Sequence, residues 1–383
     1  MNIRKLLAVV ALLTVSLSVL GEDYSSIVNG IKQAYIPDRR VDLWEISVNE
    51  LDTCHVSLVG KTTNAKAKTA LLQAFNDAEV AFVDSIAVLP DAALENKWAF
   101  TIIPYAHIRT APGHEHELAS QSLMGNPLKV IEGPVDGFYR IQTPEGYLGW
   151  IVGNSLKFMN DSQFDDWRTA ERYVVTAIYT YMYTDTNCKE IESDLVLGDI
   201  LLGEKCGKDL VRLHTPDGRT GYSHASDVEL LSKWAEQKFN ADKIISTAKA
   251  LMGSTYTWGG TSTKGVDCSG LTKTAYFSNA IILQRDASQQ VLYGKKIAPK
   301  EWRKASKADL LYFGTTSGRV THTALYIENG KYIHASGRVK INSVDPKSPQ
   351  YLTTPFLSIN RVKGNIDRKG IVSVKNHPWY FKK

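Results

Sequence analysis

The sequence predicts an α+β protein with several domains, on the basis of three observations. The chain has 383 residues, which is more than one typical domain contains. Short strand-like segments separated by Gly and Pro turns occur twice between residues 96 and 232. In the last third of the chain, helical patterns come first and strand patterns follow, with few βαβ alternations. With 43% hydrophobic residues, these segments have enough apolar side chains to bury cores.

Residues 1–21 have the pattern of a secretory signal peptide. Arg4 and Lys5 precede an apolar run over residues 6–20, which is shorter than the ~20 residues of a membrane span. We expect cleavage before Glu22, secretion to the periplasm and no membrane association afterwards. No cysteine ends the run, so lipid attachment is not expected. A retained N-terminal anchor is the alternative interpretation.

Residues 22–95 have a mixed pattern. Strand-like alternation over residues 43–48 and 56–59 is followed by a helix-like segment over 65–78 and a further strand over 80–88. These patterns predict a small N-terminal α/β domain. Since no residue in it suggests chemistry, we interpret it as a scaffold.

An internal repeat lies in the middle of the chain, where residues 138–150 align with residues 210–222. In each copy a proline fixes φ and a glycine supplies a positive φ, which is typical of a tight turn. The pattern predicts two small β-barrels, over residues 96–160 and 170–231. The recurring positions are Arg140, Thr143, Pro144, Gly146 and Gly149, which match Arg212, Thr215, Pro216, Gly218 and Gly221.

Composition excludes some classes of function. The net charge of +5 is mild and no dense Lys/Arg block is present, so we do not expect a nucleic-acid-binding protein.

Cys188 and Cys206 could form a disulfide in an oxidising compartment, or could be two buried free thiols, while Cys54 has no obvious partner. The cysteines lack Cys-x-x-Cys spacing, and the His114–His116 segment lacks a convincing ligand set. We therefore predict no metal and no cofactor.

The residues that suggest catalysis lie between residues 256 and 334. A glycine-rich stretch over 256–270 changes abruptly to a helix-like run, and Cys268 is placed where that helix would begin. The helix dipole and unpaired backbone N–H groups are expected to lower the pKa of a thiol there. His322 and His334 lie on two strand-like runs joined by Asn-Gly, which is a strong hairpin signal. A cysteine, a base and an orienting residue form an activated nucleophile.

Taken in order, these motifs resemble the NlpC/P60 family of cysteine peptidases, which cut bacterial cell-wall peptides. The resemblance covers roughly residues 240–365 and implies a papain-like fold for a domain over residues 232–383. It is carried by Tyr256-x-Trp-Gly-Gly260, Asp267-Cys-Ser-Gly270, Arg285-Asp286, residues 309–314 (Asp-Leu-Leu-Tyr-Phe-Gly), His322 and His334.

The resemblance also implies roles for individual residues. Cys268 would be the nucleophile, His322 the general base and His334 the third polar residue. The side chains implied in binding substrate, or in lining the cleft, are Trp258, Asp267, Ser269, Asp286 and Ser288. Where close relatives read Arg-Asp-Ser, this chain reads Arg285-Asp286-Ala287-Ser288, so the serine comes one position late.

The two barrels resemble bacterial SH3-like modules that accompany wall peptidases. In relatives that release small muropeptides, an aromatic residue in the turn matching residues 146–150 closes the cleft beyond the substrate's N-terminus. Tyr147 occupies that position here, and the alternative is that it is an ordinary barrel core residue. The same barrel in those relatives supplies an acidic residue that binds the free amine. This chain has Ala119 at the matching place and Glu117 nearby.

We therefore expect a monomeric, secreted cysteine endopeptidase that hydrolyses the γ-D-glutamyl–diamino acid bond of peptidoglycan stem peptides (muropeptides). A cleft blocked by the first barrel would require a free N-terminal L-Ala and would direct the enzyme to recycling of wall fragments. The alternatives are a hydrolase of intact wall, a wall-binding SH3-type protein with a weak or vestigial catalytic domain, and an acyltransferase or amidase. The choice between diaminopimelate and lysine stays open.

Overall fold

A computed structural model describes residues 24–52 and 55–382. The predicted signal peptide and Cys54 lie outside these residues. The chain divides into two compact units, one ending at Leu89 and the other beginning at Pro90. No helix within the described part of the chain is both long and apolar enough to cross a membrane. The predicted domain boundaries inside the second unit stay a prediction.

The first unit is a three-stranded sheet with two helices. Strands β2 and β3 are parallel and are connected through α2, while β1 is antiparallel to β2. Asn64 caps α2 by accepting a hydrogen bond from the backbone N–H of Ala67. Its elements are α1 (Ser25–Tyr35), β1 (Trp44–Glu50), β2 (His55–Thr62), α2 (Ala65–Asp77) and β3 (Ala81–Val88). The predicted helix and strands are present, and α1 is an additional element.

The second unit begins with a seven-stranded antiparallel sheet in the order β10-β4-β7-β8-β9-β5-β6. Its core contains small and branched side chains, among them Ala106, Ile108 and Ile141. Strand β6 contacts the functional site described below. The strands are β4 (Trp98–Thr101), β5 (Tyr105–Arg109), β6 (Leu118–Leu123), β7 (Pro127–Val135), β8 (Phe138–Gln142), β9 (Leu148–Val152) and β10 (Leu156–Met159).

A second seven-stranded antiparallel sheet follows in the order β13-β12-β16-β15-β14-β11-β17. Helix α3 (Asp161–Thr169) connects the two sheets, and Asn160 and Gln163 form a capping box at its start. The strands are β11 (Arg172–Val175), β12 (Tyr179–Tyr183), β13 (Ile191–Val196), β14 (Ile200–Cys206), β15 (Leu210–His214), β16 (Thr220–His224) and β17 (Val228–Leu230).

The last part of the chain is α+β, as predicted, with a six-stranded sheet in the order β21-β26-β22-β23-β24-β25. This part of the chain also has two separate two-stranded sheets, β18 with β19 and β20 with β27. The helices are α4 (Leu231–Ala235), α5 (Ala241–Ala250), α6 (Cys268–Phe277) and α7 (Ala287–Gln290). The strands are β18 (Thr261–Ser262), β19 (Gly265–Val266), β20 (Ile281–Leu283), β21 (Lys295–Ile297), β22 (Leu310–Gly314), β23 (Val320–Glu328), β24 (Lys331–Ser336), β25 (Arg338–Ser343), β26 (Phe356–Arg361) and β27 (Ile371–Ser373).

One hydrophobic core holds α5 and α6 against this sheet. Ile244 on α5, Leu271 on α6 and Leu325 on β23 are fully buried in it. Burial of three such side chains contributes roughly 1.5–3 kcal/mol each. This packing places the first residue of α6 beside the strand that carries His322.

Candidate active site

Cys268 is the first residue of α6, where the sequence predicts the helix to begin. Asp267 is the N-cap residue, and its Oδ1 accepts a hydrogen bond from the backbone N–H of Gly270 at 2.7 Å. The loop before the helix passes close to β6. A Cβ on Gly259, whose φ is +76°, would lie 2.4 Å from the carbonyl oxygen of Leu118. Glycine at this position therefore permits a close backbone approach next to the nucleophile.

A buried ion pair with Arg285 fixes Asp267, the residue before Cys268. The Arg285 guanidinium, only 1% exposed, donates to Asp267 Oδ2 at 2.5 Å and to Ser269 Oγ at 2.9 Å. Its Nε donates to Ser120 Oγ on β6 at 3.1 Å. Burial opposes the charge on Arg285, but the neighbouring Asp267 outweighs this and raises the Arg285 pKa. The arrangement ties β6, α6 and the Arg285 segment together around Cys268.

Burial raises the pKa of the Cys268 thiol to about 11, and the Asp267 carboxylate adds to this effect. The thiol is only 8% exposed. Backbone hydrogen bonds from Thr323 and Ser269 act in the opposite direction and are outweighed. The helix start does act to lower the thiol pKa, as predicted, but the predicted net lowering is wrong because burial outweighs it. The Cys268 thiol is therefore neutral at rest, and to act as a nucleophile it would need a base to remove its proton.

His322 and His334 form a chain of hydrogen bonds with Asn342. His322 Nε2 lies 2.7 Å from His334 Nδ1, and His334 Nε2 lies 2.9 Å from Asn342 Oδ1. Asn342 Nδ2 donates to the carbonyl of Gln350 at 2.9 Å, so its Oδ1 must accept from His334. His334 then carries its proton on Nε2 and accepts from His322 Nε2–H. This leaves Nδ1 of His322 unprotonated, as a general base requires.

Both imidazoles are neutral in this environment. Burial lowers the pKa of His322 to about 3, with a further contribution from His334. Burial also lowers the pKa of His334, although its hydrogen bond to Asn342 acts in the opposite direction. The thiol reaches the backbone N–H of Thr323, next to His322 in sequence. The structure therefore joins His322 to His334 by a hydrogen bond and places Cys268 against the strand that carries His322, with all three side chains uncharged.

The predicted substrate-binding residues on the Cys268 segment have different surroundings. Trp258 is 62% exposed, and its indole N–H donates to Glu117 Oε1 at 2.7 Å. Both Asp267 oxygens accept hydrogen bonds from protein groups, with Gly259 N–H donating to Oδ2 at 3.1 Å. Ser269 Oγ donates to Asp267 Oδ1 at 3.1 Å. Trp258 and Glu117 are thus the more accessible pair on this wall.

Tyr147, Asp286 and Ser288, also predicted to bind substrate, are all buried or half-buried. Tyr147 is 7% exposed and lies close enough to Arg285 to affect its pKa. Asp286 is the N-cap residue of α7, and its backbone N–H donates to Gln289 Oε1 at 3.1 Å. Ser288 lies inside α7 and is half-buried. Their roles in substrate binding stay predictions.

Strand β6, in the first seven-stranded sheet, contributes residues to the candidate site that sequence reasoning missed. Gln121 accepts from the backbone N–H of Thr261 at 2.8 Å through its Oε1, and its carbonyl accepts from Thr261 Oγ1 at 3.2 Å. Asn342 was missed as well. Its signal is the alternation over residues 338–343, which predicts a third strand after the hairpin.

Among the residues that the structure describes, no cluster of three or more His, Cys, Asp or Glu side chains could hold a metal ion. Cys188 and Cys206 are both free thiols and half-buried, so the disulfide alternative is not observed.

Comparison with known proteins identifies two segments of the chain. Residues 253–360 match the model of the NlpC/P60 family, and residues 108–156 match that of the bacterial dipeptidyl-peptidase SH3 domain. The dipeptidyl-peptidase 6 of Lysinibacillus sphaericus is 28% identical over 66% of this chain and 94% of its own length. A γ-D-glutamyl-L-lysine dipeptidyl-peptidase of Bacillus cereus is 29% identical over 62% of this chain and 73% of its own.

The crystal structure of an NlpC/P60 family protein from Bacillus cereus superposes with a TM-score of 0.59 and 22% sequence identity. The match covers 69% of this chain and 99% of that protein. This likeness shows a shared fold over that part of the chain.

Proposed function

Because this chain contains an NlpC/P60 domain and a bacterial dipeptidyl-peptidase SH3 domain, we propose that it is a secreted cysteine peptidase acting on peptidoglycan stem peptides. The bond cleaved is the one between γ-D-glutamate and a diamino acid. The observation that supports this proposal is the hydrogen-bonded chain from His322 through His334 to Asn342, together with the backbone N–H of Thr323, next to His322 in sequence, which donates to the Cys268 thiol.

The reaction begins with neutral partners. Nδ1 of His322 takes the proton from Cys268 as the sulfur attacks the γ-carbonyl carbon, and backbone N–H groups at the start of α6 stabilise the oxyanion. Collapse of the intermediate breaks the C–N bond, and His322 gives its proton to the leaving amine. Water then attacks the thioester with His322 again as base, which releases the acid and restores the thiol.

Asn342 is a positioning residue in this mechanism, because it fixes the tautomer of His334 and through it that of His322. Asn342→Ala should lower kcat by about 10-fold with little change in KM, since the base is disordered rather than removed. Asn342→Asp keeps an acceptor for His334 and should restore kcat. Its added negative charge favours imidazolium, so the acid limb of the kcat/KM profile should move to higher pH. Equal pH profiles for Asn342→Asp and wild type would argue against this role.

The lowered pKa of His322 predicts how activity depends on pH. A free imidazole with a pKa of 6.5 would be protonated as pH falls through that value, and the base would be lost. With the folded pKa near 3, His322 stays neutral, so kcat/KM should change little from about pH 7 to about pH 5. A titration near 6.5 in the profile would contradict the buried, neutral base.

We infer that the enzyme acts on released peptides with a free N-terminal L-Ala rather than on the intact wall. The first SH3-like sheet supports this, because β6 is bonded to the nucleophile loop through Gln121 and Thr261. Tyr147 is buried against the Arg285 region, and exposed Glu117 offers a carboxylate to an amine. The comparison of L-Ala-γ-D-Glu-diamino acid peptides with their N-acetylated forms tests this. Equal rates would remove the recycling role.

Cleavage itself is tested with Cys268→Ala and mass spectrometry of the products from defined muropeptides. The variant should lose all activity, while Cys206→Ala, which changes a free thiol outside the site, should keep it. Retained cleavage by Cys268→Ala would disprove the mechanism. Sedimentation of wild type with peptidoglycan without any hydrolysis would favour the wall-binding alternative.

A further inference from the structure

Strand β25 places a lysine beside the two histidines. Lys340 is the direct cross-strand partner of His334 in the antiparallel pair of β24 and β25. Directly opposed residues project on the same face of a sheet, with Cβ atoms about 4.5–5.5 Å apart. Asn342, two residues further along the strand, confirms the face, because its Oδ1 lies 2.9 Å from His334 Nε2. Lys340 therefore shares the surface that carries the proposed base.

Lys340 has no anionic partner in the part of the chain that the structure describes. Across residues 24–52 and 55–382, no ion pair involves Lys340, and its side chain is half-buried. Its charge contributes to the lowered pKa of both His322 and His334. A cation at this distance opposes formation of the imidazolium that the mechanism requires. Left unpaired, Lys340 would slow the reaction.

The Asp267 carboxylate, which affects the pKa of His322, already accepts hydrogen bonds from protein groups. Asp267 favours the protonated form of His322, but its oxygens accept from Arg285, Gly259 and Gly270. The positive charge of Arg285 offsets that of Asp267, so Lys340 remains as the uncompensated charge beside the histidines. A substrate carboxylate could supply the compensating negative charge.

We propose that Lys340 binds a carboxylate of the substrate next to the cleaved bond. The inference rests on the proposed function, which supplies two candidate groups. One is the α-carboxylate of the γ-linked D-glutamate. The other is the side-chain carboxylate of diaminopimelate, a group that is absent from lysine. Either group neutralises Lys340 only in the bound state, so recognition of the correct peptide also restores the basicity of His322.

Three C-terminally amidated peptides separate these sources: L-Ala-γ-D-Glu-diaminopimelate, L-Ala-γ-D-Glu-L-Lys and L-Ala-γ-D-isoglutaminyl-L-Lys. Wild type should prefer the peptide that carries the recognised carboxylate by about 10- to 100-fold in kcat/KM. Lys340→Met should abolish that preference, and Lys340→Arg should retain most of it. Loss of preference between the first two peptides identifies the diaminopimelate carboxylate. Loss between the last two identifies the glutamate carboxylate.

The matched control is Lys331→Met, which removes an exposed charge from the same pair of strands and should leave both preferences unchanged. The proposal is overturned if wild type cleaves the peptides and Lys340→Met keeps every preference within about 2-fold, whatever its melting temperature. If wild type cleaves none of the three peptides, the proposed function fails instead. The two failures are therefore distinguishable.

Discussion

The turn at residues 143–147 and its repeat at 215–219 have the same backbone hydrogen bonds. In the first, Gly146 N–H donates to the carbonyl of Thr143 at 2.8 Å, and Thr143 N–H donates to that of Tyr147 at 2.9 Å. The equivalent bonds in the repeat are both 3.0 Å. Gly146 and Gly218 have φ values of 92° and 95°. Proline and glycine thus set one backbone geometry twice.

The side chains of the two turns have different partners. In the first turn Glu145 forms a buried ion pair with Lys273 on the nucleophile helix at 3.3 Å, and Tyr147 lies near Arg285. In the second turn Asp217 accepts from Arg219 at 2.9 Å, and Arg219 also donates to the carbonyl of Ile102 at 2.6 Å. The first turn contacts the Cys268 helix and the Arg285 region, whereas the second joins the two seven-stranded sheets. The third and fifth residues of each turn, which differ between the two copies, make these different contacts.

The largest difference is expected when the fifth residue of each turn is truncated. Tyr147→Ala should lower kcat/KM for free-amine peptides by about 10- to 100-fold and should reduce discrimination against N-acetylated peptides, because the cleft end is opened. Arg219→Ala should leave both quantities unchanged. Steady-state kinetics with the two substrates measures this. Equal losses in the two variants would mean that Tyr147 acts only in barrel packing.

A smaller difference is expected in stability when the acidic residues are neutralised. Glu145→Gln leaves the mostly buried amine of Lys273 without its partner and should cost about 1–3 kcal/mol. Asp217→Asn removes a more exposed contact and should cost about 0.5 kcal/mol. Urea unfolding of both variants measures the contrast. The reverse order would show that the first turn is not anchored through its carboxylate.

The smallest contrast is expected at the glycines, where the turns are alike. Gly146→Ala and Gly218→Ala each place a Cβ on a residue with positive φ and should cost about 1 kcal/mol. Thermal unfolding should show similar losses in both. If only one variant loses stability, the backbone equivalence of the repeats is incomplete.

The sequence was most informative where local chemistry decides structure. The Asp-Cys-Ser-Gly segment predicted the start of α6, because aspartate caps a helix through its own side chain. Asn-Gly predicted the hairpin of β23 and β24, and Asn329 has the positive φ that such turns use. Both placed catalytic candidates correctly along the chain.

The sequence was least informative where distant segments meet. The thiol pKa was predicted in the wrong direction because burial of Cys268 in the folded chain raises the pKa and outweighs the backbone hydrogen bonds from Ser269 and Thr323, which lower it. Asn342 could not be assigned a role, since its partners His334 and Gln350 are identified only by strand register. Ser120 and Gln121 lie in the predicted first barrel. Their contacts with Arg285 and Thr261 depend on how that barrel packs against the last domain, which local sequence does not show.

Arg285 has a consequence for how such a protein can be divided. Its guanidinium is fully enclosed and shares its donors between Asp267, Ser269 and Ser120. A fragment that began after residue 232 would retain Cys268 but lose the Ser120 Oγ acceptor of the Arg285 Nε–H, so water would have to take its place. Separating the NlpC/P60 domain from the first SH3-like sheet would therefore open to water a guanidinium that the whole protein encloses.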